Sequence, residues 1–421
     1  MNESIDQLPA RRDVLVVGAG PAGSAAAITL ARAGLSVVML DQHAFPRDKV
    51  CGDGLIPDAH RALARLGLLD QVMQQAQSAR AVRCTSPKGR QIDVEGTLAV
   101  LPRKQLDEIV CRAAVAAGAR MFAPLQFSEL IEEGGRVVGA RVQQGQARRE
   151  IRCDWVVLAT GAVPTALLTS QMLTRQAPSA IAMRCYVRND AMAGEITELE
   201  VIFHRSLAPG YGWIFPCGQG VFNIGVGVFN VGGGLLGHRA SARSKVAQTN
   251  LRAMFDQLSA VSPSVRRLIQ GGERLGPLKG APLRCTLEGA QLSRPGLLVC
   301  GEAAGSTYAL TGEGIGKALE TGILAGEAIQ GKRPASSGPD EGLSDEAVQA
   351  DYEAQVQALQ PQFKLYERAQ IFSMHPWLAD VVMWRVQKSP RLRSKLSGVL
   401  NETSNPGRLF TWRGLMRLIT G

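Results

Sequence analysis

No two of the eight cysteines in this 421-residue chain form a C-x-x-C pair, and there are only five histidines. Soft ligands so scattered exclude a zinc ribbon and a disulfide frame, leaving reduced thiols and no metal centre as the expectation. The first twelve residues, M-N-E-S-I-D-Q-L-P-A-R-R, contain no apolar stretch, so no cleaved secretory leader is expected there and the chain reads as cytoplasmic. Convincing internal repeats are missing, and no nucleic-acid-binding motif accompanies the net charge of +10. With 45% hydrophobic and 20% charged residues, the composition argues against disorder, and the length allows two or three domains. One uncharged run, residues 14–31, is about long enough to span a bilayer, yet it holds three glycines and a proline in its first ten residues. A strand followed by a helix accommodates those residues better than one membrane helix does.

What is present is organised around residues 14–41, V-L-V-V-G-A-G-P-A-G-S-A-A-A-I-T-L-A-R-A-G-L-S-V-V-M-L-D. Apolar β-formers run into a G-x-G-x-x-G turn, a small-residue helix follows, and a second apolar strand delivers an acid. Gly18 permits the tight turn, Gly20 lets the backbone approach a pyrophosphate, and Gly23 lets helix and strand pack closely. Pro21 and Ala22 open a helix whose free N–H groups and dipole favour an anion. Asp41, 23 residues after Gly18, is placed to accept hydrogen bonds from an adenosine ribose. This unit alone fits either NAD or FAD.

Residues 42–57, Q-H-A-F-P-R-D-K-V-C-G-D-G-L-I-P, form a glycine-containing loop placed to pass over the cofactor. In it, Arg47 and Lys49 face either phosphate or solvent, and Cys51 either faces the ligand or is a small packed thiol. A helix is expected from about residue 57 to 66, and a hairpin over 81–101 with its turn at 86–89. Leu106, Ile109, Val110, Ala113, Ala114 and Ala117 recur at helical spacing until Gly118, with Arg103 at the start of that helix, reaching for the cofactor or lying at the surface. Strands are expected at 120–122, 127–132, 136–143 and 150–152. The run W-V-V-L-A at 155–159 reads as a buried strand beside the first in one parallel sheet, ending at a turn with Gly161. Residues 179–284 alternate as strands, with one helix expected at about 240–259. Tyr211 and Trp213 fall on one strand face and Ile214 on the other, which suits a pocket wall or an ordinary sheet core. A second strand-to-helix junction, Gly301-Glu302 through Thr311-Gly312-Glu313-Gly314-Ile315, leads into a helix to residue 329. Residues 333–344 read as a linker, 345–371 and 377–386 as helices, and 408–421 as a short basic amphipathic tail.

In this order the motifs resemble those of the geranylgeranyl reductase family of flavoproteins, within the larger group built like p-hydroxybenzoate hydroxylase. The likeness covers almost the whole chain. It is carried by the G-x-G-x-x-G turn, Asp41, K-V-C-G-D-G at 49–54, Arg103, Y-G-W-I-F-P at 211–216 with N-I-G at 223–225, and the Gly301–Ile315 junction. The resemblance implies FAD, with its adenosine at Gly18, Gly20, Pro21, Ala22, Gly23 and Asp41. Arg103 and Glu302 would contact the ribityl–pyrophosphate stretch. Cys51, Gly52, Gly312, Gly314 and Ile315 would flank the isoalloxazine, with Gln42, Lys49, Gly161 and Gly301 as further cofactor contacts. A helix N-terminus aimed at a reduced flavin would stabilise its anionic edge by roughly 0.3–2 kcal/mol. The implied fold is α/β: a Rossmann-type FAD-binding domain with a parallel sheet (1–80, 101–165 and 285–333), an antiparallel β-sheet substrate domain (81–100 and 166–284), and C-terminal helices (334–421).

The implied activity is reduction of carbon–carbon double bonds of a small apolar substrate, isoprenoid or acyl, by hydride from reduced flavin. Cys51, Tyr211, Trp213 and Phe215 are the expected catalytic-site residues, and NAD(P)H or another reductant is the expected electron donor. The alternative is a flavin-dependent monooxygenase; a halogenase or a non-catalytic electron carrier follows. Two departures stand out. Glu302 replaces the usual Asp, and Ala159-Thr160-Gly161 lacks the acid of the usual D-G turn, which bears on handling of a nicotinamide donor. C-G-D and Y-x-W-x-F-P stand where halogenases of the group carry G-E-S and W-x-W-x-I-P. From Val382 onward eight basic residues face a single acid, Glu402. An anionic membrane surface or an acidic carrier protein holding the substrate would explain that excess, as would a plain solvated helix face.

Overall fold

A computed structural model describes residues 3–175, 177–229, 249–331 and 344–403. The first unit folds as its sequence dictates: β1 (Arg11–Val17), α1 (Pro21–Arg32) and β2 (Val37–Leu40). It is followed by β3 (Gly54–Leu55), α2 (Pro57–Arg65) and a hairpin of β4 (Gln77–Thr85) and β5 (Gln91–Val100). Then come α3 (Arg103–Ala116), β6 (Arg120–Phe122), β7 (Gln126–Glu133), β8 (Arg136–Gln144) and β9 (Ala147–Leu158). The middle of the chain supplies β10 (Ala180–Arg188), β11 (Leu199–Ile202), β12 (Gly210–Gly218) and β13 (Val221–Phe229). After α4 (Leu251–Val261) and α5 (Pro263–Gln270) follow β14 (Glu273–Arg274), β15 (Lys279–Leu283), β16 (Ser293–Arg294) and β17 (Leu297–Val299). The chain then enters α6 (Ile315–Gly331), α7 (Asp345–Ala369), α8 (Pro376–Lys388) and α9 (Pro390–Leu400).

Two sheets organise these elements. The first runs β16-β17-β9-β1-β2-β6, and the pairings of β1 with β2, β1 with β9, β9 with β17 and β2 with β6 are all parallel. Val14 pairs with Trp155, so the two apolar runs lie side by side as expected. Both faces of this sheet are covered. Val14, Val16, Trp155 and Val157 point into a core shared with α1, α3, α6 and α7, while Leu15, Val17, Val156 and Leu158 point into a second core on the opposite face. That alternation explains why the strands are continuously apolar. The second sheet runs β14-β10-β13-β12-β11-β4-β5-β3. It is antiparallel except where β11 lies parallel to β4.

Three local expectations differ from the structure. Residues 150–152 and 155–159 are one strand, β9, whose first half pairs antiparallel with β8 and whose second half pairs parallel with β1. Asp154 does not interrupt it because its carboxylate leaves the sheet to meet Arg11 at 2.6 Å. The helix expected at 240–259 lies partly outside the described residues; within them two helices stand, α4 capped by Asn250 and α5 capped by Ser262 with Pro263 opening it. The helix α9 was not expected, although Ser389 and Pro390 are the same start signal. The linker residues 333–343 and the basic tail 408–421 lie outside the described residues. No helix among the described residues is long and apolar enough to cross a membrane.

Candidate functional site

The β1–α1 turn shows why its glycines are spaced as they are. Gly18 adopts φ +101°, and a Cβ on Gly23 would stand 1.8 Å from the Gly18 carbonyl oxygen; no larger residue fits either place. Gly20 caps α1 with no side-chain bond, Pro21 occupies the first turn, and Pro21, Ala22 and Gly23 are all buried. Above this helix end two guanidiniums converge. The point where a Gly20 Cβ would stand is 3.3 Å from an Arg47 nitrogen and 4.0 Å from an Arg103 nitrogen. A helix N-terminus with two arginines over it has the charge and donor set for a diphosphate, so the residues fit the pyrophosphate of a dinucleotide. Asp107 holds both arginines, at 2.6 Å from Arg103 Nε and 3.0 Å from Arg47 Nη1. Sequence reasoning missed Asp107, although its i+4 spacing from Arg103 was the available signal.

Asp41 ends β2 beside this turn. Its carboxylate accepts from the Ala19 N–H at 3.1 Å, the His43 N–H at 3.0 Å and Arg47 Nε at 3.3 Å. The acid expected to receive a ribose therefore also ties the glycine turn to the following loop. Gln42 next to it is exposed, and Gly161, at φ +74°, has open space around it. Gly301, also at positive φ, faces Ala22 of α1. Glu302 lies 3.6 Å from Lys49, so the second glycine junction and the 42–57 loop meet across one cleft.

The Cys51 loop is pinned by a buried polar hub. Asp53 is fully buried and takes a left-handed backbone conformation, φ 67°. It accepts from the Arg103 N–H at 3.2 Å, the Tyr186 hydroxyl at 2.5 Å and Asn223 Nδ2 at 2.7 Å. The same Asn223 nitrogen donates to the Cys51 carbonyl at 2.7 Å, and Asn223 Oδ1 accepts from the Trp213 indole at 3.0 Å. Burial pushes the Asp53 carboxyl up to about 6 against the lowering effect of Tyr186, Asn223 and Arg184. Burial likewise raises the Cys51 thiol, so it is held as a neutral thiol beside Arg103 rather than as a thiolate.

Tyr211, Trp213 and Phe215 share one face of β12, while Ile214 points into the core under α4 and α5. Tyr211 stacks on Phe229 at 5.6 Å between centroids and donates from its hydroxyl to the Thr311 carbonyl. Trp213 lies opposite Gly225, where a Cβ would come within 2.2 Å of its ring; the N-x-G of 223–225 thus supplies an acceptor for the indole and the room for it. Gly52 faces Phe215, with a would-be Cβ 3.1 Å from that ring, and Gly312 faces Tyr211 and Phe229 at 3.3 and 3.4 Å. Gly314 faces Thr307, and Ile315 opens α6. The structure therefore brings Gly52, Tyr211, Trp213, Phe215 and Gly312 to one apolar wall, to which the Cys51 carbonyl is tied through Asn223 while the Cys51 side chain packs against the first core beside Arg103. Tyr186, Asn223 and Asp53, which pin that wall, were absent from the expected site because spacing alone does not reveal them.

A second cluster of charged side chains joins α2 to α6. Lys317 of α6 sits 2.7 Å from Glu320, 3.9 Å from Asp58 and 3.6 Å from Glu402. Glu402 also pairs with Arg61 and accepts from the Tyr308 hydroxyl at 3.2 Å. Burial pushes Asp58 up to about 7 and Glu313 up to about 8. The lone acid of the basic C-terminal stretch is thus an internal anchor.

The comparisons with known proteins bear on the family and the fold. Residues 11–176 match the FAD binding domain family. A menaquinone reductase of Mycolicibacterium smegmatis is 32% identical over 76% of this chain and 76% of its own length. A digeranylgeranylglycerophospholipid reductase of Methanopyrus kandleri is 29% identical over 75% of this chain and 76% of its own. Among solved structures, a geranylgeranyl bacteriochlorophyll reductase-like protein of Thermoplasma acidophilum superposes with a TM-score of 0.76 at 20% identity, covering 95% of this chain and 98% of that one. The helix-end cradle, the Cys51 loop and the aromatic wall stand in one chain whose sequence and fold both align with these proteins, and the chain belongs to the geranylgeranyl reductase family of FAD-dependent oxidoreductases.

Proposed function

We propose that this protein reduces carbon–carbon double bonds of an apolar, isoprenoid or acyl-type substrate. The observation that carries this reading is the aromatic wall of Tyr211, Trp213 and Phe215, locked against the Cys51 loop through Asn223. Such a wall suits a flat or linear apolar group by stacking and contact, and offers few partners to a polar one. The names of the relatives, a menaquinone reductase and a digeranylgeranylglycerophospholipid reductase, support the same substrate class.

FAD, when bound and reduced, supplies the hydride. This chain's residues bind, orient and exclude water. The α1 N-terminus with Arg47 and Arg103 holds the diphosphate; Glu302 and Lys49 face the middle of the cofactor; Cys51, Gly52, Gly312, Gly314 and Ile315 border the reacting face. NAD(P)H is the electron donor in this reading. The substrate arrives from a membrane or a carrier, and the protein works on the cytoplasmic side. Arg391, Arg393 and Lys395 on α9 are exposed, as is Trp377 at the start of α8, a combination suited to an anionic lipid surface.

Anaerobic turnover tests the reaction. With a polyprenyl quinone and NADPH, the expected product is two hydrogens heavier, formed without dioxygen and in equal amount to donor consumed. Product that forms only with stoichiometric dioxygen consumption would reject the proposal in favour of a monooxygenase.

A further inference from the structure

The helix α9 ends on an acid in a backbone conformation that acids seldom adopt. Glu402 has φ 53° and stands one place beyond the cap residue Asn401. Its N–H donates to the Val399 carbonyl at 3.0 Å, and the Thr403 N–H donates to the Gly398 carbonyl at 2.9 Å. Those two bonds make the Schellman ending of a helix, whose left-handed residue is usually glycine because a Cβ there is strained. Glycine would serve the backbone better, so the backbone does not account for a glutamate. A side chain at such a place persists where its surroundings hold it.

Three side chains hold this one, which is 10% exposed. Glu402 Oε2 pairs with Arg61 of α2. Its Oε1 lies 3.6 Å from Lys317 Nζ and accepts from the Tyr308 hydroxyl at 3.2 Å. The helix end is seated on β5 as well, where Asn401 Nδ2 donates to the Glu95 carbonyl at 3.2 Å and the Glu95 N–H donates to Ser397 Oγ at 3.1 Å.

Two of the three partners belong to the second glycine junction. Lys317 lies in the first turn of α6, which starts at Ile315, and its side chain is 3% exposed. Tyr308 is fully buried and stacks on Tyr366 of α7 at 4.1 Å between centroids. Its N–H donates to the Glu313 carbonyl at 2.8 Å, and its carbonyl accepts from the Gly312 N–H at 3.0 Å. One residue thus closes the loop that leads into α6. In the same loop the Thr311 carbonyl accepts from Tyr211 of the aromatic wall. The junction is therefore tied to the wall through Tyr211 and to the C-terminal helix through Tyr308 and Lys317.

Charge follows the same route. Lys317 also faces Glu320 at 2.7 Å and Asp58 at 3.9 Å, and Glu402 is the one of these three acids that the C-terminal segment brings. Side chains this buried are weakly screened. A carboxylate on Lys317 offsets part of the positive field that this ammonium and the α6 dipole present at the helix start.

We propose that Glu402 is a positioning residue of the flavin site: delivered by α9, it fixes Tyr308 and Lys317 at the second glycine junction and lowers the reduction potential of the bound flavin. This assignment rests on FAD lying against that junction, whichever substrate is reduced. A reduced flavin has an anionic edge, and a negative charge held near it disfavours that form. Removing the Glu402 carboxylate therefore shifts the potential in the positive direction. Glu402 also helps to hold the proton of Asp58, which is pushed up to about 7. At pH about 8.5 Asp58 is ionised with or without Glu402, so the whole change in charge is read there.

The test is anaerobic reduction of the full-length, FAD-loaded protein beside a reference dye at that pH. At equal dye potential, Glu402→Gln is expected to raise the ratio of reduced to oxidised flavin about threefold over the wild type, with flavin content unchanged. Glu402→Gly is the second variant. Glycine relieves the left-handed residue, so its Tm should equal or exceed that of Glu402→Gln, while the flavin ratio rises alike. Glu327→Gln removes an acid near the other end of α6, where Glu327 meets Arg65 at 2.7 Å on the surface, and should leave the ratio at the wild-type value. An unchanged ratio in both Glu402 variants overturns the proposal, as does an equal rise in Glu327→Gln. Loss of FAD from both Glu402 variants overturns it too, leaving the residue as a structural anchor only. Wild-type protein that takes up no FAD would instead refute the cofactor site on which the assignment rests.

Discussion

Asn223 Nδ2 donates to the Cys51 carbonyl oxygen at 2.7 Å, joining β13 of the second sheet to the loop that borders the first. Its other contacts, Asp53 at 2.7 Å and Trp213 at 3.0 Å, make this single amide the clamp between the aromatic wall and the loop. Asn223→Ala leaves the Cys51 carbonyl and the Trp213 indole without partners, each worth about 1–3 kcal/mol, and takes one of three donors from Asp53. A stability loss of roughly 3 kcal/mol by urea denaturation is expected, together with at least tenfold lower turnover. Asn223→Asp sets a second carboxylate on Asp53 and should steepen the loss of stability with rising pH relative to the wild type.

Stability should fall as the pH rises from about 5 to 9. Burial raises Asp53 to about 6, Asp58 to about 7 and Glu313 to about 8. A carboxyl whose folded pKa lies above its unfolded value near 4 contributes stability that is complete below that value and is lost as the pH climbs through the folded one. Asp48 and Asp93, held low by their basic partners, act oppositely and lose their contribution in acid. Thermal denaturation is thus expected to show its highest Tm near pH 5. Asp58→Asn should flatten the decline between about pH 4 and 7, read as a difference of a few degrees.

Gly23→Ala should empty the cofactor site. Its Cβ would stand 1.8 Å from the Gly18 carbonyl, so α1 must move away from β1 and carry its N-terminus off the diphosphate. The purified variant is expected to be colourless, with no absorbance near 450 nm after reconstitution with FAD. Retention of stoichiometric flavin would refute the assignment of this helix end.

Trp213→Phe keeps an aromatic in the wall but removes the indole donor to Asn223. Flavin content should be unchanged, while KM for a long polyprenyl substrate rises several-fold and that for a short analogue rises less. An equal effect on both lengths would place Trp213 outside the substrate path.

Glu402 dictates how the basic C-terminus is tested. Because it pairs with Arg61 and Lys317 and accepts from Tyr308, truncation near Asp380 strips partners from a buried cluster. Stopping after Thr403 retains that anchor. Binding of full-length protein to phosphatidylserine vesicles is expected to weaken with salt. Substituting Arg391, Arg393 and Lys395 with Gln should reduce it further, with turnover of a soluble substrate unchanged.

The cofactor half of the protein was readable from its order of residues. Residues 14–41 determine a strand, a turn and a helix by local rules: β-branched residues extend, glycine permits φ +101° at Gly18, and proline opens a helix. The aromatic face of Tyr211 and Trp213 likewise followed from the two-residue period of a strand. Tertiary structure alone decided what those faces meet. Asn223 against Cys51 spans 172 positions and Glu402 against Arg61 spans 341. Local backbone preference acts over a few residues, whereas burial, pairing and pKa depend on which remote groups share a dry space. The sequence by itself therefore determined where the dinucleotide turn and the pocket strand lie, and only the fold decided which charges are paired and which carboxyls burial holds protonated.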